Sequence, residues 1–248
     1  ALQYAQPFNG IVGVFPCDHY LKGKGVIREG IISTRLGLKG IPAIAESIRV
    51  QRDLELLRYT GGQIHFMGIT TLESLKLIKE AKKEGLHVTA SVGIGNLYFN
   101  EDKLEDFDSR YKLNPPIATE ETRVKLLEAL VDGTIDLVVS DHFNCSTEEK
   151  NLEFELAEFG SKTKDYFFPA LCKLLGEQRT VEILHRGYQL FRLSAPEIKE
   201  GAIANPSFFS KKENYIAKET DPQTELFEGE SFDIIATGSF FNGKLSLS

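Results

Sequence analysis

The sequence predicts an α/β fold equal to half of a TIM-type (β/α)8 barrel, followed by a small β appendage. Short apolar runs alternate four times with segments of helical periodicity, which is typical of parallel β-α-β units. The run that follows Gly133 is apolar at consecutive positions, as expected for a strand buried on both faces of a sheet. From Ala195 onward prolines interrupt the chain, and Asn242-Gly243 predicts a hairpin. We therefore predict a barrel segment over residues 1–194 and a β-rich segment over residues 195–248.

The four strands of the barrel segment are predicted where short apolar or β-branched runs are bounded by turn residues. Polar residues just after the carboxyl end of such a strand are candidates for function, because α/β sheets and barrels keep their chemistry there. Asp141 and His142 occupy this place after the fourth run. The predicted strands cover residues 11–15, 63–67, 86–92 and the run that starts after Gly133.

The helices are predicted from the spacing of apolar residues and from start and stop signals. Thr70 with Glu73, and Ser146 with Glu149, have the spacing of a capping box, in which side chains satisfy the first backbone N–H groups of a helix. The predicted helices cover residues 42–59, 70–84, 120–131 and 146–159, with less regular helical sequence over 165–188.

Two segments are predicted as loops. Residues 16–25 follow the first strand, and residues 100–118 are charged and then kinked by Pro115-Pro116. A loop as long as the second one, inside a compact domain, is usually functional or mobile.

Composition excludes several classes of function. The chain has 248 residues with a formal net charge of −7, which argues against a nucleic-acid-binding surface. No apolar segment approaches the roughly 20 residues needed to cross a bilayer, and the N-terminal residues do not have the pattern of a signal peptide. Cys17, Cys145 and Cys172 are odd in number and unpatterned, as expected for reduced thiols. We therefore expect a cytoplasmic protein that binds neither membrane nor nucleic acid.

Several stretches in their order along the chain resemble the dihydroorotase family of the amidohydrolase superfamily. The resemblance extends almost from end to end and implies the C-terminal half of a (β/α)8 barrel. An open half-barrel exposes strand edges, so we expect either that the first half is missing from this chain or that a partner covers the edge. The stretches are STRLGLKGIPA at 33–43, IHF at 64–66, ITT at 69–71, YKLNPP at 111–116, DGTID at 132–136, SDH at 140–142, EK at 149–150, LFEG at 226–229 and NGK at 242–244.

The resemblance implies a cyclic amidohydrolase that closes carbamoyl aspartate to dihydroorotate, reversibly, in pyrimidine biosynthesis. Family members use one or two zinc ions, which supply a hydroxide near neutral pH and polarise the amide carbonyl. The zinc ligands of the family include a His-x-His pair and a carboxylated lysine that we expect upstream of this chain. The three other ligands are one histidine after each of two strands and an aspartate that also acts as general base.

The positions of these three ligands are present, but two of them hold residues without a metal-binding side chain. The family's Ser-His-Cys-Glu-Asp pattern falls on residues 15–19 and places Pro16 at the first ligand histidine. The His-x-x-His-x-Ser-Thr pattern falls on residues 65–71 and places Gly68 at the second. Asp141 is retained at the third.

The substrate-facing positions are retained only in part. Asn114 resembles a family residue that contacts substrate, and His142 is a second candidate for substrate binding. The family's Asp-x-Ala-Pro-His pattern places Cys145 at a substrate-facing histidine, and Ala118 stands where its Pro-Pro-Leu-Arg pattern has arginine.

The leading interpretation is a catalytically inactive dihydroorotase homologue, since zinc needs about three or four ligands and one carboxylate does not replace two imidazoles. In this interpretation the protein has no resident cofactor, forms a homo-oligomer and has aspartate transcarbamoylase as a partner. Asp141 is then the remaining general base of a reaction that the protein no longer catalyses. The alternative is a working zinc-dependent dihydroorotase or related amidohydrolase with a rearranged site, in which Asp141 binds the metal. A third possibility is binding of a small molecule without turnover, through Asn114 and the long loop.

Other residues have both a functional and a structural interpretation. A replacement metal site is one hypothesis, although Cys-x-His is not a standard zinc spacing; its members are Cys17, Asp18, His19, Asp141 and Cys145. His65 lies on a predicted strand, three residues before the lost ligand position, and is interpreted as a core histidine.

Overall fold

A parallel four-stranded sheet forms the centre of the computed structural model, which describes residues 1–195, 197, 199–202, 204–241 and 243–247. A separate pair of two-residue strands, β2 and β3, lies in the loop region after the first strand of this sheet. The strands up to this point of the chain are β1 (Val12–Val14), β2 (Ile27–Arg28), β3 (Gly40–Ile41), β4 (Ile64–Phe66), β5 (Val88–Gly93) and β6 (Leu137–Val139).

The strand order of the central sheet is β1-β4-β5-β6, and each neighbouring pair is parallel. Its strands are thus added in the order in which they occur along the chain. This arrangement is that of a barrel segment, whereas a doubly wound sheet reverses its strand order at a switch point. The predicted partial barrel is confirmed.

Helices connect the strands of this sheet and pack against its convex face. The longer connecting helices are α4, α5 and α7, and neighbouring ones contact each other. The helices are α1 (Leu2–Ala5), α2 (His19–Lys22), α3 (Ile31–Leu36), α4 (Ile44–Thr60), α5 (Leu72–Lys83), α6 (Ile94–Tyr98), α7 (Glu120–Asp132), α8 (Thr147–Lys150), α9 (Phe167–Leu175) and α10 (Glu177–Leu190), with 3-10 turns at Gln6–Phe8, Glu101–Leu104 and Ser109–Tyr111.

The core lies between the sheet and these helices. All three residues of β4 are buried, and Phe66 is wholly inaccessible to solvent. The apolar faces of the helices cover this strand, and each large side chain buried there contributes about 1.5–3 kcal/mol. The contributing residues include Val50, Leu54 and Leu57 of α4, Ile78 and Ala81 of α5, and Leu126 and Leu130 of α7.

A small antiparallel sheet follows α10, as predicted. Its order is β7 (Ser207–Ile216), β8 (Ser231–Phe241) and β9 (Lys244–Leu247). Phe241 pairs with Lys244, so the predicted hairpin is present, although Asn242 lies outside the described residues. Phe168 of α9 stacks on Phe209 of β7 with ring centroids 4.0 Å apart, which attaches this sheet to the helical layer.

Two of the predicted helix boundaries are wrong. Thr71, and not Thr70, is the N-cap of α5, because its hydroxyl accepts a hydrogen bond from the Ser74 backbone N–H. The capping box at Ser146 is formed, but its helix is a single turn that ends at Lys150. The chain then turns back, and the Lys150 ammonium donates to the carbonyl oxygens of Glu158 and Gly160 at 2.9 and 2.8 Å.

The two predicted loops contain short ordered elements. The first includes α2, which begins because Asp18 Oδ1 accepts hydrogen bonds from the Tyr20 and Leu21 backbone N–H groups. The second includes two 3-10 turns, and its residues Leu113 and Ile117 are buried in the core. Across the described ranges, no helix is long and apolar enough to cross a membrane.

Candidate functional site

The concave face of the central sheet lines an open cavity of about 600 Å³. Successive side chains of a strand point to opposite faces, so alternate residues of β1, β4, β5 and β6 reach this cavity. Gly13, His65, Ser91, Gly93, Leu137 and Val139 are these residues. The wall is mostly apolar and open to solvent, because Phe15, Met67 and Val139 are all exposed there.

The segment after α10 closes the end of the cavity where the parallel strands begin. Leu190, Phe191 and Arg192 line the cavity. The Arg192 guanidinium donates to the carbonyl oxygen of Asn9 at 2.6 Å and to Gln63 Oε1 at 2.8 Å. Since Asn9 and Gln63 precede β1 and β4, this arginine connects the segment to the amino ends of both strands.

The opposite end, where the strands finish, contains two of the residues that the sequence predicted for the site, whereas Pro16, Asn114 and His142 are not among the residues that line the cavity. Gly68 follows β4 and Asp141 follows β6, and both line the cavity. Pro16 is buried directly after Phe15, and Asn114 precedes Pro115, which also lines the cavity. The carboxyl ends of parallel strands are the usual place for a site in such folds.

At Gly68 the position of a Cβ atom is closely bordered by two neighbouring residues. Gly68 has a φ of +72°, and a Cβ atom there would lie 3.1 Å from Pro115 Cδ and 3.3 Å from Phe15 Cε2. A shift of Pro115 would weaken two hydrogen bonds, because Asn96 Nδ2 donates to its carbonyl oxygen and to that of Pro116 at 3.2 Å. Any side chain at position 68 therefore starts from a tight contact with Pro115 and Phe15.

The side chains that the structure describes do not by themselves form a zinc site. Pro16 and Gly68 carry no donor atom, so Asp141 alone is left of the three ligand positions that the family resemblance places in this chain. Over the residues that the structure describes, no group of three or more His, Cys, Asp and Glu side chains is placed to hold a metal. The hypothetical replacement site is thus not assembled: Asp18 caps α2, His19 is exposed and Cys145 is buried.

Asp141 has an uncommon backbone conformation, and its surroundings disfavour the charged form of its carboxyl group. Its φ of +49° lies in the left-handed region, which is uncommon for residues other than glycine. Its side chain is exposed to the cavity, but surrounding protein atoms partly desolvate it and raise the pKa of its carboxyl group. Asp141 therefore holds its negative charge less readily than an ordinary surface aspartate.

His142 and His65 both have structural hydrogen bonds. His142 Nδ1 accepts from the Thr163 backbone N–H at 3.1 Å, and burial lowers the pKa of its imidazole. His65 contacts Thr89 Oγ1 at 2.8 Å through Nδ1 and Ser91 Oγ at 3.1 Å through Nε2. Burial also lowers the pKa of His65, which agrees with its interpretation as a neutral core histidine.

Asn114 is engaged by a residue that sequence reasoning missed. Lys22 Nζ of α2 donates to Asn114 Oδ1 at 3.3 Å and lies 4.7 Å from the centre of the Phe159 ring. Lys112 lies against the same ring at 4.8 Å and donates to the carbonyl oxygens of Glu155 and Ala157. In the sequence, the family resemblance indicated a role for Asn114, but no motif or spacing indicated a role for Lys22 or Lys112.

Glu46 is a second residue that sequence reasoning missed. It is buried in the first turn of α4, and its carboxylate accepts hydrogen bonds from the backbone N–H and hydroxyl groups of both Thr70 and Thr71. Arg28 Nη2 donates to Thr70 Oγ1 at 2.6 Å and to the carbonyl oxygen of Pro116 at 3.2 Å. This network holds the turn after Gly68 and the Pro115-Pro116 segment next to each other. An acid on the inward face of an amphipathic helix is the signal that could have revealed it.

No protein-family model matches the chain. Solved structures with the same architecture include hydantoinases. L-hydantoinase from Arthrobacter aurescens has a TM-score of 0.84 at 18% identity and covers 100% of this chain and 59% of its own. D-hydantoinase from Thermus sp. has a TM-score of 0.77 at 19% identity over 99% of this chain and 58% of its own. The fold is thus that of a hydantoinase-type barrel, of which this chain forms a part.

Sequence comparison gives the particular family. The dihydroorotase of Desulfotalea psychrophila is 37% identical over 211 residues, which are 83% of this chain and 50% of that protein. The dihydroorotase of Carboxydothermus hydrogenoformans is 39% identical over 171 residues, 69% of this chain and 40% of that protein. The chain belongs to the dihydroorotase family by sequence, and it spans about half the length of these relatives.

Proposed function

We propose that the protein is a dihydroorotase homologue of pyrimidine metabolism that does not catalyse the family reaction and acts as a structural or regulatory partner. The observation that carries this proposal is Gly68 itself, which has no side chain to bind a metal and whose Cβ position is closely bordered by Pro115 and Phe15. This close contact supports a former ligand position that neighbouring side chains have partly taken over.

The open surface supports a role in association. Among the described residues, β1 and β6 are the two edges of the central sheet, and exposed edges favour pairing with further chain. The exposed apolar side chains of Phe15, Met67 and Val139 also favour burial against the surface of another protein segment. Aspartate transcarbamoylase is the partner we propose, within an oligomer that contains more than one copy of this chain.

An assay of turnover tests the proposal directly. The purified full-length protein, supplied with zinc, is expected to cyclise carbamoyl aspartate no faster than a metal-free control, because its ligand set is incomplete. Product formation is measured by the ultraviolet absorbance of dihydroorotate, and bound metal by mass spectrometry. Zinc-dependent turnover well above background, with stoichiometric metal, would establish the alternative of a working amidohydrolase with a rearranged site. The observation that favours that alternative is the position of Asp141, which follows β6 and lines the cavity.

Substitution of Gly68 by alanine tests whether the former ligand position is closed. Gly68→Ala is expected to lower the free energy of unfolding by about 2–4 kcal/mol, since it combines a left-handed backbone with a steric clash. Gly85→Ala is the matched control, because Gly85 has a φ of +83° but nothing within 4 Å of its Cβ position. The control is expected to cost only about 1 kcal/mol. Urea unfolding followed by circular dichroism measures both, and equal losses of stability would show that the contacts of Pro115 and Phe15 at Gly68 do not exclude a methyl group.

A further inference from the structure

Arg192 carries a positive charge at the end of the cavity where the parallel strands begin. It follows α10, is exposed and lines the cavity. Its guanidinium donates to the carbonyl oxygen of Asn9 at 2.6 Å, to Asn9 Oδ1 at 3.3 Å and to Gln63 Oε1 at 2.8 Å. These acceptors are uncharged, and Arg192 forms no salt bridge with any residue that the structure describes. Its positive charge is therefore available to a ligand.

The hydrogen bonds of Arg192 fix its guanidinium group without using all of its donors. A guanidinium has five N–H donors in one plane and no acceptor. The bonds to Asn9 and Gln63 take three of them, which leaves two that form no hydrogen bond with any described residue. Asn9 also lines the cavity, so the guanidinium lies at the cavity wall. The arginine is thus held in place with donors to spare.

The wall next to Arg192 is apolar. Ile11 precedes β1, Leu137 begins β6, and Leu190 and Phe191 directly precede the arginine; all of them line the cavity. Phe191 is 49% exposed, so the apolar part of a ligand can contact its ring. The cavity volume of about 600 Å³ lies in the range of small-molecule sites. A small molecule can therefore bury an apolar body here and direct a polar group to Arg192.

We infer that the amino end of the cavity binds a small carboxylate with an apolar body, whose carboxylate group contacts Arg192. A carboxylate only accepts hydrogen bonds, and its charge-assisted bonds to a guanidinium are roughly twice as strong as bonds between neutral groups. Asp141 lies at the opposite end and has the same sign of charge as the ligand, which directs the carboxylate to Arg192. The inference does not depend on whether the protein is catalytically active.

Phenylacetate and phenethyl alcohol are suitable probes, because they have the same carbon skeleton and differ in the charge of the head group. Each is titrated into the full-length protein and followed by ligand-observed NMR and calorimetry. Phenylacetate is expected to bind saturably with a dissociation constant of about 1 mM. The neutral alcohol is expected to bind at least about tenfold more weakly. Absence of saturable phenylacetate binding, or equal binding of the alcohol, would overturn the inference.

Two substitutions remove the free charge at this site by different routes. Arg192→Met deletes the guanidinium and keeps an apolar stem. Gln63→Glu leaves the arginine in place but pairs it with a carboxylate, because Gln63 Oε1 already accepts from Arg192. Each is expected to weaken phenylacetate binding at least about tenfold. Gln63→Glu keeps the test decisive if Arg192→Met does not fold, since it adds no volume and strengthens an existing contact.

Arg179→Met is the matched control. Arg179 is exposed on α10 and is not among the residues that line the cavity, so this variant removes the same charge outside the site. It is expected to bind phenylacetate as the wild type does. Unchanged affinity in a folded Arg192→Met or Gln63→Glu protein, or an equal loss in Arg179→Met, would place the probe elsewhere and contradict the assignment.

Discussion

Replacement of Glu46 by glutamine is expected to lower the free energy of unfolding by about 3 kcal/mol. Glu46 is 8% exposed, and its two carboxylate oxygens accept four hydrogen bonds from Thr70 and Thr71 at distances of 2.7–3.0 Å. Glutamine retains one acceptor oxygen, but its NH2 group would face donors at the other position. The buried N–H and O–H groups there would then have no acceptor.

The loss extends beyond these hydrogen bonds, because Thr71 is the N-cap of α5. Urea unfolding followed by circular dichroism measures the change. Glu80→Gln on the exposed face of α5 is the control, and it is expected to change stability by less than about 0.5 kcal/mol. Equal values for the two variants would show that the Glu46 network does not stabilise the fold.

The second large effect is a pH dependence of stability that Glu225→Gln removes. Glu225 is 1% exposed, and its burial raises the pKa of its carboxyl group from 4.5 to about 8. Because the folded protein holds this proton more tightly than the unfolded chain, the contribution is fully present below pH 4.5 and is lost as the pH rises through 8. Each unit of difference in pKa corresponds to about 1.4 kcal/mol. Between pH 5 and pH 9 we expect the wild type to lose about 3–5 kcal/mol through this group.

Glutamine at position 225 is neutral at every pH and still accepts from the Phe227 backbone N–H, which donates to Glu225 Oε1 at 3.2 Å. The variant is therefore expected to match the wild type at pH 5 and to exceed its stability at pH 9. Urea denaturation at several pH values measures the difference between the two proteins, and Glu80→Gln serves again as the control. A difference that does not change with pH would show that Glu225 is ionised in the folded protein.

The structure adds contacts to the two positions at which the family resemblance places ligand histidines. The resemblance predicts that Pro16 and Gly68 replace these histidines. In the structure Phe15 and Pro115 lie close to Gly68, and hydrogen bonds from Asn96 and Arg28 hold the Pro115-Pro116 segment there.

The partial barrel and its small C-terminal sheet could be predicted from the sequence, because strands, helices and caps depend on neighbouring residues. The three consecutive buried residues of β4 and the glycine after α4 carry their signals within a few positions. The same local reasoning placed the N-cap of α5 at Thr70 and extended the helix after Ser146 too far. The first error is a shift by one residue: Thr70 and Thr71 both bond to Glu46, but the Thr71 hydroxyl accepts from the Ser74 N–H. The second arose where distant partners compete, since Lys150 binds carbonyls of the chain that turns back.

By itself the sequence determined the fold class and the dihydroorotase family, and it predicted that Pro16 and Gly68 replace ligand histidines. Only the tertiary structure decided which side chains lie beside Gly68 and which polar groups are hydrogen-bonded near the cavity. Lys22 and Asn114 are 92 residues apart, and Glu46 and Thr70 are 24 apart, yet each pair is hydrogen-bonded. Contacts of this kind depend on how strands and loops pack in three dimensions, and periodicity and capping signals extend over only a few residues. For that reason the Glu46 network, which joins α4 to the turn after β4, appears only in the folded chain.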